Sequence, residues 1–97
     1  MPRIHTHPGA ILREDFMAPL GLSATALAAA LGVPTNRLTA VIAGDRSVTP
    51  NTALRLARYF NTSPEVWLNL QAAYELSKEI MEHGAEISDR VKPREAA

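Results

Sequence analysis

Helix-opening and helix-closing residues alternate along this chain, and they leave room for little besides short helices. Pro8 beside His7, then Ser23, Thr35, Thr49-Pro50 and Ser63-Pro64 can each start one. Their side chains accept hydrogen bonds from first-turn N–H groups, and proline is tolerated at the first helical position. Pro19 with Gly21, then Gly32, Gly44 and Gly84, are stop signals. Between these marks apolar residues recur at helical spacing, and no stretch keeps the alternation of a strand. Five helices are expected. The first runs from Pro8 to Pro19–Gly21, with Ile11, Leu12 and Phe16 inward. The second is Ala24–Leu31, and the third Asn36–Ala43 with Thr35 as its cap. The fourth runs from Pro50 to near Asn61, and the fifth from Pro64 to about His83.

Each short helix has one inward side. Ala53, Leu56, Ala57 and Phe60 share a face of the fourth, with Arg55 and Arg58 opposite; Ala24, Leu27, Ala28 and Leu31 share a face of the second. Small alanines there permit close approach. The expected fold is all-α: a compact five-helix bundle. At 97 residues the chain supports one domain and one modest core. Residues 1–83 form that domain, and the polar segment 84–97, which contains Pro93, is expected to be a flexible tail.

Several chemistries are excluded early. With no cysteine there is no disulfide framework, thiolate zinc site or cysteine nucleophile. His5 and His7 lie two apart in an N-terminal arm, far in sequence from His83, so no metal or other cofactor is expected. Ser23, Ser47, Ser63 and Ser77 fall at caps, in a loop or on a helix face, without a histidine and acid to activate them, so no enzyme is expected. No apolar run approaches the roughly 18 residues of a membrane span, and the N-terminus lacks the apolar core of a secretory signal. A cytoplasmic location is the expectation.

The net charge is zero, yet it is unevenly spread. Residues 1–62 carry a net +3 whose bases are all arginine, and residues 63–97 carry −3. Arginine suits bidentate contacts with phosphate and guanine. Residues 23–44 read as helix, glycine turn, helix, the plan in which the second helix enters the DNA major groove. On the third helix Leu38, Val41 and Ile42 point inward; the far side holds Asn36, Ala40 and Ala43, flanked by Arg37 and Thr39, with no acidic residue. Asparagine can pair with adenine, arginine with guanine, and threonine or alanine can meet a thymine methyl. The plain alternative is a short surface helix between two core helices.

The chain carries, in order, His7-Pro8-Gly9, Pro19-Leu20-Gly21-Leu22-Ser23, Leu31-Gly32-Val33-Pro34, Ile42-Ala43-Gly44-Asp45-Arg46, the run from Thr52 to Phe60, and Ser63-Pro64-Glu65-Val66-Trp67-Leu68-Asn69-Leu70-Gln71. Together these motifs resemble the HigA family of antitoxins, within the phage-repressor-like helix-turn-helix class. The resemblance implies a homodimer that binds double-stranded operator DNA of its own operon and silences a RelE-like messenger-RNA endonuclease, the HigB toxin. By position it implies reading-helix residues Thr35, Asn36, Arg37 and Thr39, with Ala43 and Arg46 near the end, and Ser23 and Thr25 by the phosphate backbone. The chain departs from the pattern at Ala24, where many relatives carry a phosphate-contacting glutamine, and at Ala40 and Ala43, where larger polar residues are common.

Trp67, Leu70, Tyr74 and Met81 form a helical stripe and are expected in the core. The apolar arc of the fifth helix is wider than that, from Ile80, Ala73 and Leu76 round to Trp67 and Tyr74. Its outer edge, Leu76 and Ile80, is the candidate dimer seam. Arg3, Arg46, Arg55 and Arg58 are candidates for phosphate neutralisation. Glu14 and Asp15 on the first helix are the candidate toxin contacts, with the acidic fifth helix as rival. A repressor without a toxin, and a helical adaptor that has lost DNA binding, remain alternative readings.

Overall fold

A computed structural model describes residues 3–95. Every element among them is helical. We number these α1 (residues 8–20), α2 (Ala24–Leu31), α3 (Thr35–Ile42), α4 (Pro50–Phe60) and α5 (Pro64–Arg90). Ser23, Thr49 and Ser63 cap α2, α4 and α5 as their sequence contexts predict, each side-chain oxygen accepting from the N–H three residues on.

The first helix is less regular than expected. It passes through Pro19 to Leu20, and its middle, Leu12–Met17, is π-helical. Proline has no N–H to donate, and its ring crowds the carbonyl four residues back. A wider turn relieves both problems, and the Ala18 N–H reaches back to the Arg13 carbonyl. The five-residue step also brings Met17 beneath Leu12, so both are buried. Gly9 sets how close α1 can lie to α3: a Cβ there would stand 1.9 Å from the Val41 carbonyl oxygen.

The core gathers Leu12, Leu27, Leu38, Val41, Leu56 and Trp67, each at most 1% exposed. The Phe16 ring packs 5.0 Å from Phe60 and 5.1 Å from Trp67. The Trp67 indole N–H donates to Thr62 Oγ1 at 2.9 Å, so this large side chain is buried without a polar cost. The stripes predicted for α2, α3 and α4 all face this core. Met81 does not: at 51% exposure it lies beyond the bundle, and the core stripe of α5 ends at half-buried Tyr74.

Two helix boundaries also differ. Thr35 is the first residue of α3 rather than its cap; Pro34 precedes it, with no side-chain capping bond. Gly84 does not stop α5, which continues to Arg90. A glycine inside a helix costs only about 1 kcal/mol against alanine. The i,i+4 pairs Glu79–His83 and Glu86–Arg90 support the helix on either side of it. With 27 residues, α5 is about 40 Å long and gives the molecule its 55 × 26 × 21 Å extents.

Candidate nucleic-acid interface

The turn between α2 and α3 is locked by local hydrogen bonds. Gly32 adopts the left-handed conformation (φ 72°). Its N–H donates to Ala29 O at 3.2 Å, and the Val33 N–H donates to Ala28 O at 3.0 Å. This is the Schellman closure, accompanied by packing of Val33 against the core. The angle of α3 on α2 therefore follows from one glycine and one hydrophobic contact.

On the side of α3 away from the core, Thr35, Asn36 and Thr39 are exposed, as are Ala43 and Arg46 just beyond its end. The Thr39 hydroxyl donates to Asn36 O at 3.1 Å, which leaves its methyl as the outward group. Ser23 and Thr25 are exposed at the start of α2, and the Ser23 hydroxyl accepts from Ala26 N at 3.1 Å.

Arg37 is not presented as expected. Its guanidinium turns to α4, where Nη2 donates to Asn51 Oδ1 at 2.9 Å and to Thr52 Oγ1 at 2.7 Å. Arg55, expected on the outer face of its helix as a phosphate contact, meets the same asparagine oxygen from the other side, its Nε donating at 2.9 Å. Its Nη1 donates to the α2 carbonyl of Leu31 at 2.8 Å. A cation at a helix C-terminus also opposes the negative end of the dipole. Asn51 thus bridges two arginines, and the start of α4 braces both halves of the helix-turn-helix. Sequence reasoning missed Asn51 and Thr52. The i,i+4 spacing of Asn51 and Arg55 was legible; the arrival of Arg37 from another helix was not.

Among the described residues, no carboxylate lies within ion-pair distance of Arg37, Arg46, Arg55 or Arg58. Arg55 and Arg58 line one surface groove beside Asn51, whereas Arg46 lines another that also carries Asp45, Glu75, Glu79 and Glu82.

His7 supports the far end of the interface. Its Nδ1 accepts from Gly9 N at 2.9 Å, capping α1. Its ring meets Tyr74 edge-on at 4.8 Å and lies beside Gly44. Burial holds its pKa below the 6.5 of a free imidazole, partly offset by the charge of Glu75.

Leu76 and Ile80, the candidate seam, are 64% and 47% exposed. Ile87 is also exposed and continues the same side of α5 at helical spacing, and Val91, just past the helix end, is exposed too. Glu14 and Asp15 are exposed on the π-helical part of α1, with Glu14 3.3 Å from Arg13.

Comparison with known proteins adds four findings. The helix-turn-helix family model matches residues 12–67, more than half of the chain. A virulence-associated protein I from Dichelobacter nodosus is 51% identical over 76 residues, covering 78% of this chain and 68% of that one. Among solved structures, an addiction module antidote protein of a HigA family from Coxiella burnetii is 46% identical with a TM-score of 0.89, covering 95% of this chain and 100% of that one. The antitoxin GraA in complex with its operator is 42% identical with a TM-score of 0.92, covering 99% and 97%.

Proposed function

This chain belongs to the HigA family of helix-turn-helix proteins, and on that premise we propose that it is an antitoxin. In this reading it represses its own operon as a homodimer and neutralises a RelE-like messenger-RNA endonuclease of the HigB kind. The observation that carries the DNA half is the outer side of α3. It is exposed, free of acidic residues, and held at a fixed angle by the Gly32 turn and the Asn51 brace. Operator recognition by the related GraA supports the same use of this fold.

A homodimer joined along α5 presents two α3 helices to successive major-groove segments, about 34 Å apart on a palindromic site. Ser23, Thr25, Thr35, Asn36, Thr39, Ala43 and Arg46 then face DNA. Arg3, Arg46 and Arg58 neutralise phosphates, making affinity salt-dependent. Arg37 and Arg55 act mainly by holding α3 in place. Toxin neutralisation uses a different surface: Glu14 and Asp15 on α1 are exposed acids suited to covering basic RNA-binding residues of a nuclease.

The test is to express the short reading frame immediately upstream of this gene, with and without this chain. Growth arrest by that frame alone, rescue by co-expression and recovery of a stable complex are expected. The purified chain should shift a duplex from the operon's own promoter. Absence of toxicity with DNA binding intact leaves a repressor without a toxin; absence of DNA binding overturns the reading of α3.

A further inference from the structure

Residues 43–49 connect α3 to α4 and carry Ala43 and Arg46. Two side chains of α5 grip this connection. The Val48 N–H donates to the oxygen of the buried Gln71 amide at 2.8 Å. The Ser47 hydroxyl donates to Glu75 Oε1 at 2.8 Å. Gln71 Nε2 donates to the same carboxylate oxygen at 3.2 Å, so amide and carboxylate, one helical turn apart, orient each other. On the other side, the N–H groups of Asp45 and Arg46 donate to Ala40 O at 2.9 and 3.2 Å. The loop and the last turn of α3 therefore form one hydrogen-bonded unit. An open groove of about 430 Å³ lies between Arg46 and Ser47 on one side and Tyr74 and Lys78 on the other. Val48 anchors the end of the loop in the core at 3% exposure; beside the groove, the stretch through Arg46 and Ser47 is held by the polar grip of α5 together with the His7 ring beside Gly44.

We propose that Gln71 and Glu75 are positioning residues for DNA recognition: through Val48 and Ser47 they hold the loop after α3 in the one register that lets Arg46 and the end of α3 meet the groove together. The inference rests on the α3 reading above. Neither residue touches DNA. Their effect is preorganisation, since a loop already ordered before binding does not pay for ordering on the operator.

The experiment compares two duplexes of equal length. One is selected by the parent chain from a random library; the other is scrambled. Glu75→Ala should lower the preference for the selected duplex about three- to tenfold, the effect of one modest hydrogen bond. Binding to the scrambled duplex should stay constant, because no phosphate contact is lost. Glu75→Gln keeps an acceptor for Ser47 and should retain the preference. Ser47→Ala should reproduce Glu75→Ala, and the double variant should be no worse than either single one. Amide exchange at residues 45–48 should quicken in Glu75→Ala and not in Glu75→Gln. An unchanged preference in a folded Glu75→Ala protein overturns the proposal. So do equal gains in affinity for both duplexes in Glu75→Ala and Glu75→Gln, which would make Glu75 only a repelling charge. Additive losses in the double variant overturn it too, assigning Ser47 to direct contact. Failure of the parent chain to enrich any duplex overturns the α3 reading and this inference together, whereas a selective parent with an insensitive Glu75→Ala removes only the inference.

Discussion

Asn36 and Arg37 are neighbours on α3 with opposite employment. Asn36 is exposed on the outer side, while the Arg37 guanidinium is spent on Asn51 and Thr52. Asn36→Ala should leave thermal stability unchanged, cost about 1–3 kcal/mol at the selected site and relax the base preference there. Arg37→Ala should instead lower stability by about 1 kcal/mol, a value reduced for partial exposure, and weaken operator binding through the loosened helix. Thermal unfolding and fluorescence anisotropy on both variants separate the two roles. His7 has a role that only its neutral ring performs, because Nδ1 must accept from the Gly9 N–H. Its folded pKa lies below the unfolded value, so on acidification the unfolded chain takes the proton first. The His7 contribution should be fully present above about pH 6.5 and decline as pH falls through the folded pKa. His7→Asn, which keeps an acceptor at the cap, should flatten that part of the profile in thermal melts between pH 7.5 and 5. A parent profile as flat as the variant's would remove the assignment.

At the scale of elements, α1 shows how little room the bundle allows. Its crossing with α3 has no space for a methyl group at Gly9. The obstacle is backbone, so no rotamer change relieves it. Gly9→Ala should cost about 3 kcal/mol, the upper end of ordinary overpacking, and lower the melting temperature by more than about 10 °C. Circular dichroism measures this directly; a near-parental melt would mean that α1 and α3 can separate freely. The π-helical segment in the same helix also has a local cause in Pro19. A period of 3.6 residues predicts Ile11, Leu12 and Phe16 inward; Leu12 and Phe16 do pack there, whereas Ile11 is only half-buried outside the core cluster, and Met17 is delivered to the core by the five-residue step that a 3.6-residue period does not foresee.

Across the whole molecule, α5 has two employments on two sides. One side buries Trp67 and grips the loop after α3; the other carries Leu76, Ile80 and Ile87 into solvent. Glutamates at both Leu76 and Ile80 place like charges around the proposed two-fold axis, which is unfavourable without partners. Since neither residue belongs to the core, the monomer should remain folded. Sedimentation should show a monomer at low micromolar concentration, and affinity for a palindromic duplex should fall sharply as one half-site binds alone. A folded dimer would place the seam elsewhere.

Local rules were enough to read most elements from the residues. Ser23, Thr49-Pro50 and Ser63-Pro64 act within one turn of the chain, as does Gly32, so their helix ends and the helix-turn-helix plan were legible. The inward faces of α2, α3 and α4 were also legible, because a 3.6-residue period is a property of each helix by itself. The tertiary structure alone decided where the long polar side chains go. Arg37 and Arg55 converge on Asn51 from two helices, and Gln71 with Glu75 reaches a loop 23 to 28 residues away in sequence. Outward placement on a helical wheel marks such side chains as solvated, whereas a neighbouring helix can offer them partners. The persistence of α5 past Gly84 follows the same logic: one glycine's modest propensity cost yields to the turns and side-chain pairs on both sides of it, a balance that only the assembled helix reveals.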